Sequence, residues 1–399
     1  MRVLFVAWAW PSHVHALVPL AKACRAAGHE VRLVTQPAMV STAAATGLPV
    51  APVGADVDAV SAIRGYVSRA KALAAAGAGA VPAGPPRALA LLTELADAMV
   101  DDLVTQVRQW PADLVVYEAT TMAGPIAAAA AGVPAIRHLY GIDLLWPARE
   151  ALAQALAPVA ARYAVVDLDP IGLITIDPCP PGLQGPVGYQ AQRMRHVPYL
   201  GGFTARPDRQ PPGRRPRVCV TWGTTLDRLD PALFAPAAVV SALADAEVEV
   251  VVAIADYQRA LLGAVPPGTV VHESAPLAAI LPECDAVISH GGAATMLNAL
   301  HHGLPMLLLP RLPDHAGHAR RVQAAGAGVV LPAAEATAKD IRRHAEALVT
   351  QSRFRAAAEA LQRQMQAAPS PATVAASLDA LVTRGHRQGV PVKRIESIA

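Results

Sequence analysis

The chain has 399 residues, room for two or three domains with their own cores, which excludes a disulfide-stapled mini-fold or a lone binding peptide. Hydrophobic residues make up 53%, charged residues 16% and aromatics 4%, so Ala, Val and Leu carry the apolar share of a compact, ordered protein. Lys+Arg 34 against Asp+Glu 31 leaves +3, spread without a basic block, which argues against a nucleic-acid or membrane-surface partner.

The apolar start at 3–10 is too short for a membrane span and lacks a small-residue cleavage site, so it reads as the first β-strand of a cytoplasmic protein. Pro11 opens a patterned helix in which Leu17, Leu20, Ala21 and Cys24 fall at helical spacing, and Gly28 stops it. Short apolar runs at 31–35, 114–117 and 135–138 alternate with helical patterns, the sign of βαβ crossovers and a parallel sheet buried on both faces. The Ala/Gly/Pro-rich segment 70–86 has few large apolar residues and reads as a loop over the binding site or a tolerated insertion.

Residues 206–216, rich in Pro and Arg, read as a linker, after which the strand pattern restarts at 218–221, 248–254, 269–271, 286–289 and 306–309. Helical patterns at 338–349, 355–366 and 372–382 close the chain before a polar tail. The expected division is an N-terminal domain at 1–205, the linker at 206–216, a C-terminal domain at 217–370, and a helix and tail at 371–399 that packs back on the first domain. Both domains read as Rossmann-like α/β units with parallel sheets. Ligands of open parallel sheets bind at the carboxyl ends of the strands, so the expected site is a central cleft that both sheets face.

The richest stretch for chemistry is His290-Gly-Gly-Ala-Ala-Thr295, where a strand at 286–289 meets a helix opening at Ala293. Backbone N–H groups at such a helix start form an anion site, to which His290 and Thr295 add donors; the plainer reading is a Gly-rich turn with a satisfied histidine. Neither GxGxxG with a downstream acid nor GxxxxGK[ST] occurs, which disfavours a nicotinamide enzyme or a P-loop ATPase. Asp314 and His315, at the next helix start, suit a polyhydroxy group beside a phosphate, unless Asp314 only caps its helix.

In the first domain His13 stands just beyond strand one, in a loop position suited to a general base. Glu118 ends another strand of the same sheet and is placed to orient that imidazole. The His pairs 13/15, 301/302 and 315/318 match neither HExxH nor a facial triad, so no metal site is expected. Cys24, Cys179, Cys219 and Cys284 stand far apart and read as buried free thiols.

The segments at 1–6 and 18–31, the turn at 290–295, Gly303-Leu-Pro305 and Asp314-His315 together resemble the GT-B glycosyltransferases that decorate polyketide and macrolide antibiotics, nearest to those that move 6-deoxysugars from TDP. The resemblance runs nearly end to end. It implies that His13 deprotonates the acceptor hydroxyl with Glu118 in the place of its acidic partner, a place where the family often has Asp. It implies a diphosphate cradle of His290, Gly292, Ala293 and Thr295, with Thr224 and Thr225 from the first C-domain turn near the phosphates. Ala275, Pro276 and Leu277 match the segment lining the nucleobase. Asp314 and His315 stand where the family usually has Asp-Gln on sugar hydroxyls, so the His is a departure that bears on the sugar's identity.

Trp8, Trp10, Tyr140 and Trp146 lie at strand ends or in loops of the first domain and would line a greasy acceptor pocket, or simply pack their loops. The implied reaction is inverting transfer of a 6-deoxysugar, rhamnose-like as the first candidate, from a TDP-sugar to a hydrophobic polyketide aglycone, with no cofactor and no metal. A sugar-nucleotide epimerase of the same fold and a catalytically silent auxiliary binding protein are the alternatives. A homodimer and an activator protein remain open as partners.

Overall fold

A computed structural model describes residues 1–65, 87–203, 215–332 and 335–387. The loop expected at 70–86, residues 206–214 of the expected linker and the tail past Arg387 lie outside the described residues. The chain divides into two compact units: Met1–Pro178 with Pro186–Val197 and the chain from Ala368, and Cys179–Gly185 with Pro198–Ala367.

The first unit is built on seven parallel strands, β1 (Arg2–Val6), β2 (Glu30–Thr35), β3 (Val50–Pro52), β4 (Leu114–Glu118), β5 (Ala135–His138), β6 (Ile174–Asp177) and β7 (Ala191–Arg193), in the order β3-β2-β1-β4-β5-β6-β7. Leu4, Phe5, Val115 and Val116 are wholly buried, as expected for strands covered on both faces. The helix Pro11–Ala26 buries Leu17, Leu20, Ala21 and Cys24. Proline at its first position has the helical φ already and needs no N–H partner, so the helix begins there and His13 sits in its first turn rather than in a loop. The helix Ala123–Ala131 lies close on β4 because position 124 is glycine: a Cβ there would stand 2.4 Å from Cβ of Tyr117.

The helical pattern at 372–382 breaks into two helices, Pro371–Ala376 and Leu378–Arg387. The hydroxyl of Ser377 at the break donates to Val374 O at 2.9 Å, the kind of local side-chain bond that competes with helix continuation. This terminal stretch belongs to the first unit, where Arg195 N donates to Pro369 O at 2.8 Å.

The second unit holds six parallel strands, β8 (Arg217–Thr221), β9 (Glu249–Ile254), β10 (Val270–Glu273), β11 (Ala286–Ser289), β12 (Met306–Leu308) and β13 (Gly328–Val330), in the order β10-β9-β8-β11-β12-β13. Its centre is aliphatic, with Val218, Val220, Ile288 and Leu307 wholly buried. None of the four cysteines forms a disulfide, and all four are buried.

In both sheets the strand order reverses direction beside the first strand, between β1 and β4 and between β8 and β11. Crossover chains leave these two neighbours toward opposite sides, which opens a crevice at their carboxyl ends. Among the described residues no helix is long and apolar enough to cross a membrane.

Candidate functional site

The crevice of the first unit holds His13 and Glu118. Val6 of β1 pairs with Tyr117 of β4, so Glu118 is the next residue past the paired strands, and it pairs in turn with His138 of β5. His13 Nδ1 lies 3.1 Å from Glu118 Oε2, with the carboxylate wholly buried and the imidazole nearly so. Burial alone would raise the Glu118 carboxyl, but the charge and hydrogen bond of His13 and the bonds from Thr120 outweigh it and hold the group below the usual carboxylate range. An ionised carboxylate only accepts, so Nδ1 carries a proton and donates to Glu118; in the neutral ring the lone pair then lies on Nε2.

The spacing of residues along the chain did not reveal the rest of this cluster. Thr120 N donates to Glu118 Oε1 at 3.0 Å, and the hydroxyls of Thr120 and Thr121 donate to Oε2 at 2.6 and 3.1 Å. Trp8 Nε1 donates to Thr120 Oγ1 at 2.9 Å, and Trp8 N to Thr121 Oγ1 at 3.1 Å. The one available signal was a Thr-Thr pair directly after the acid at a strand end. His138 is fully buried and burial lowers its pKa to about 4, so it is neutral beside the charged Glu118.

Of the four expected acceptor-lining aromatics, two touch the base. Tyr140 stands 4.2 Å from the His13 ring centre and Trp8 meets it edge-on at 5.1 Å, while Trp10 stacks on Trp8 at 5.1 Å. Trp146 joins another group, under the Arg149 guanidinium at 4.2 Å and against Tyr189.

The crevice of the second unit is floored by the turn after β11. Gly291 has a φ of +89°, and Gly292 caps the helix Ala293–His301 with no side chain bonded to its first N–H groups. A Cβ on Gly292 would stand 2.5 Å from His290 Nε2, and one on Gly223, at the end of the β8 turn, 3.1 Å from His290 Cε1. Glycine at both positions therefore lets the backbone pack close against the buried imidazole, where a side chain would collide with it. Gln258 steadies the β8 turn, donating to Gly223 O at 2.8 Å and Asp227 Oδ1 at 2.9 Å.

Three imidazoles meet here. His290 and His315 cross with ring centres 4.4 Å apart, and His318 Nδ1 donates to Gly291 O at 3.1 Å. Burial lowers all three pKa values, that of His315 to about 3; for His290 the neighbouring His315 adds to the effect. His290 Nδ1, His315 Nδ1 and His318 Nε2 are buried with no hydrogen-bond partner. Such orphaned groups are costly unless a ligand meets them. Thr295 is buried in the first helical turn, whereas Asp314 stays half-exposed, 3.8 Å from His315 Nε2. Thr224 is exposed and Thr225 half-buried, and Ala275, Pro276 and Leu277 form a half-buried ledge after Ser274, whose φ is +55°. Among the described residues no group of three or more His, Cys, Asp or Glu is arranged to hold a metal ion.

Residues 22–223 match the N-terminal domain, and residues 237–381 the C-terminal domain, of the family described as erythromycin biosynthesis protein CIII-like. The chain is 34% identical to a 10-deoxymethynolide desosaminyltransferase of Streptomyces venezuelae, over 97% of this chain and 98% of that one. It is 34% identical to an aklavinone 7-beta-L-rhodosaminyltransferase of Streptomyces galilaeus, over 98% of each. Among solved structures it resembles the spinosyn rhamnosyltransferase SpnG with a TM-score of 0.80 and 27% identity, over 95% of this chain and 100% of that one. That enzyme is also known with its spinosyn aglycone and with thymidine diphosphate.

Proposed function

The chain belongs to the erythromycin biosynthesis protein CIII-like family of glycosyltransferases, and on that premise we propose an inverting, TDP-dependent 6-deoxysugar transfer with His13 as the general base. Its fold class is that of the GT-B enzymes, and it is a deoxysugar transferase acting on macrolide or polyketide aglycones, as its relatives are. The proposal concerns the finer points: the base, the stereochemistry, the cradle and the sugar.

The observation that carries it is the His13–Glu118 pair, buried at the switch point with Nδ1 committed to the carboxylate at 3.1 Å. Nε2 takes the proton of an acceptor hydroxyl as its oxygen attacks the anomeric carbon. The bond from that carbon to the diphosphate oxygen breaks, its electron pair leaves with TDP, and attack from the opposite face inverts the configuration. Glu118 stabilises the imidazolium formed.

Negative charge develops on the departing diphosphate. The first N–H groups of the helix Ala293–His301, the Thr295 hydroxyl and the buried, unpartnered Nδ1 of His290 are donors suited to that charge, fixed before the reaction begins. This donor set supports transfer without a metal or other cofactor. Rhamnose is the first candidate sugar because the chain resembles the rhamnosyltransferase SpnG, while His315 in place of the usual Gln beside Asp314 is the departure that bears on that choice.

The test is a panel of TDP-deoxysugars, TDP-rhamnose included, against 10-deoxymethynolide, aklavinone and spinosyn aglycone. Formation of a glycoside with inverted anomeric configuration is the expected result. A product of retained configuration would overturn the mechanism, and a rival sugar preferred over rhamnose would replace the donor assignment.

A further inference from the structure

We propose that Trp8 is a positioning residue for the base, acting through Thr120 to reinforce the His13 tautomer that Glu118 favours. The inference rests on the reading of His13 as base.

Three polar atoms face the Thr120 hydroxyl: Trp8 Nε1 at 2.9 Å, Glu118 Oε2 at 2.6 Å and His13 Nδ1 at 3.2 Å. A hydroxyl has one proton to give and two lone pairs to fill. The indole N–H can only donate, so it occupies a lone pair. An ionised carboxylate can only accept, so at 2.6 Å it takes the hydroxyl proton in a short charge-assisted bond. What Thr120 then shows to His13 is a lone pair.

Nδ1 thus faces two oxygens, Thr120 Oγ1 and Glu118 Oε2, and neither offers it a proton. Both favour the tautomer with the proton on Nδ1 and the base at Nε2. The backbone of Trp8 repeats the device: its N–H fills a lone pair of Thr121 Oγ1 at 3.1 Å, and that hydroxyl donates to Glu118 Oε2 at 3.1 Å. One residue at the end of β1 therefore aims two hydroxyl protons at the carboxylate on the neighbouring strand. Without the indole N–H, only Glu118 Oε2 holds the Thr120 proton away from Nδ1, so the preference for the tautomer with its base at Nε2 weakens.

This role differs from that of an acceptor wall, which would need the ring and not its N–H. Trp8→Phe separates the two, because it keeps a large ring and deletes the donor. Thr120→Val deletes the hydroxyl, and Thr120→Ser keeps it. The titratable groups around the hydroxyl are His13 and Glu118, with neutral His138 on β5 beside Glu118.

The test needs no substrate: histidine ring 15N spectra of the full chain, with the His13 signals assigned by their loss in His13→Ala. The neutral wild-type ring should show Nδ1 protonated and Nε2 bare. Trp8→Phe should move the Nε2 signal toward the protonated form. Thr120→Val leaves Nδ1 facing Glu118 Oε2 alone and should move the His13 ring signals away from their wild-type positions. Thr120→Ser should match the wild type. With the donor and aglycone that score in the panel, kcat should fall about tenfold in Trp8→Phe and Thr120→Val, the scale on which outer partners of a functional imidazole act, with the acceptor KM unchanged.

Wild-type 15N shifts in both Trp8→Phe and Thr120→Val would overturn the proposal. So would a raised acceptor KM at unchanged kcat in Trp8→Phe, which would make Trp8 part of the acceptor wall. Full turnover in His13→Ala would remove the base itself, whereas collapse in His13→Ala with wild-type kcat in the other two would remove only the relay. TDP binding in the second unit serves as the check that each variant is folded.

Discussion

The imidazoles of His290 and His315 cross at 70° with ring centres 4.4 Å apart, each buried and each with an Nδ1 that nothing meets. Burial and mutual repulsion hold His290 well below the ordinary imidazole value, and burial holds His315 at about 3. An anion beside them favours the protonated form, so its arrival raises these values. TDP binding should therefore draw in protons and tighten as pH falls from 8 toward 6. Calorimetry in two buffers of different ionisation enthalpy measures this, and identical heats would refute it. His315→Gln should reduce the uptake.

Gly292→Ala places a methyl where His290 Nε2 stands 2.5 Å away. The ring must move, and the stabilisation that excess TDP gives in a thermal-shift assay should vanish while the melting temperature of the free protein drops only modestly. Thr295→Val removes a single donor and should weaken TDP by about threefold to tenfold, the worth of one hydrogen bond. Undiminished TDP stabilisation in both variants would sink the cradle.

Loss of the base should leave the nucleotide site intact, since the two clusters belong to different units. His13→Ala is expected to lower turnover by at least about 10²-fold. Glu118→Gln should cost a similar factor, because a carboxamide can present its N–H₂ to Nδ1 and reverse the tautomer. TDP affinity should stay within error in both. Activity should also survive EDTA, and loss restored by a divalent cation would reverse the metal-free account.

Acid stability follows from the buried imidazoles. His138 and His315 sit at about 4 and about 3 in the folded chain, and His290 and His318 also lie below the ordinary 6.5. The unfolded chain binds protons first, so stability is full above about 6.5 and is lost as pH falls toward the folded values. Melting temperatures between pH 8 and 5 should decline steadily below 6.5, and a flat profile would contradict the burial of these rings. His138→Gln should shallow the slope.

Gly124→Ala forces a Cβ to 2.4 Å from Tyr117 Cβ, directly before Glu118. Overpacking at such a contact costs about 1–3 kcal/mol. The melting temperature should fall by several degrees and turnover with it, since β4 carries the acid. An unchanged melting temperature would mean the helix yields more readily than its packing implies.

What could be read from the residues alone was what neighbours in sequence decide. Strand, Gly-Gly and helix at 286–301 follow from local pattern, and so does the burial of Leu17, Leu20 and Ala21 on a helix after Pro11, though not the place of His13 in its first turn. Glu118 was reachable as an acid at a strand end, and the strand alternation already implied two parallel sheets.

Which atoms meet was another matter. The Glu118–His13 bond depends on the parallel pairing of β1 with β4, more than a hundred residues apart in sequence. Trp8 looked like an apolar surface in the sequence, and only folding set its indole N–H on Thr120. The sequence set His315 beside Asp314 and paired it with His318 only by spacing; that the helix Pro313–Ala324 buries both rings, with His318 Nδ1 on Gly291 O, was decided by the fold. Periodicity reports which face of an element is buried, because it is a property of one segment. The tautomer of His13 and the orphaned nitrogens of His290, His315 and His318 are properties of several segments at once, and only the tertiary structure brings those together.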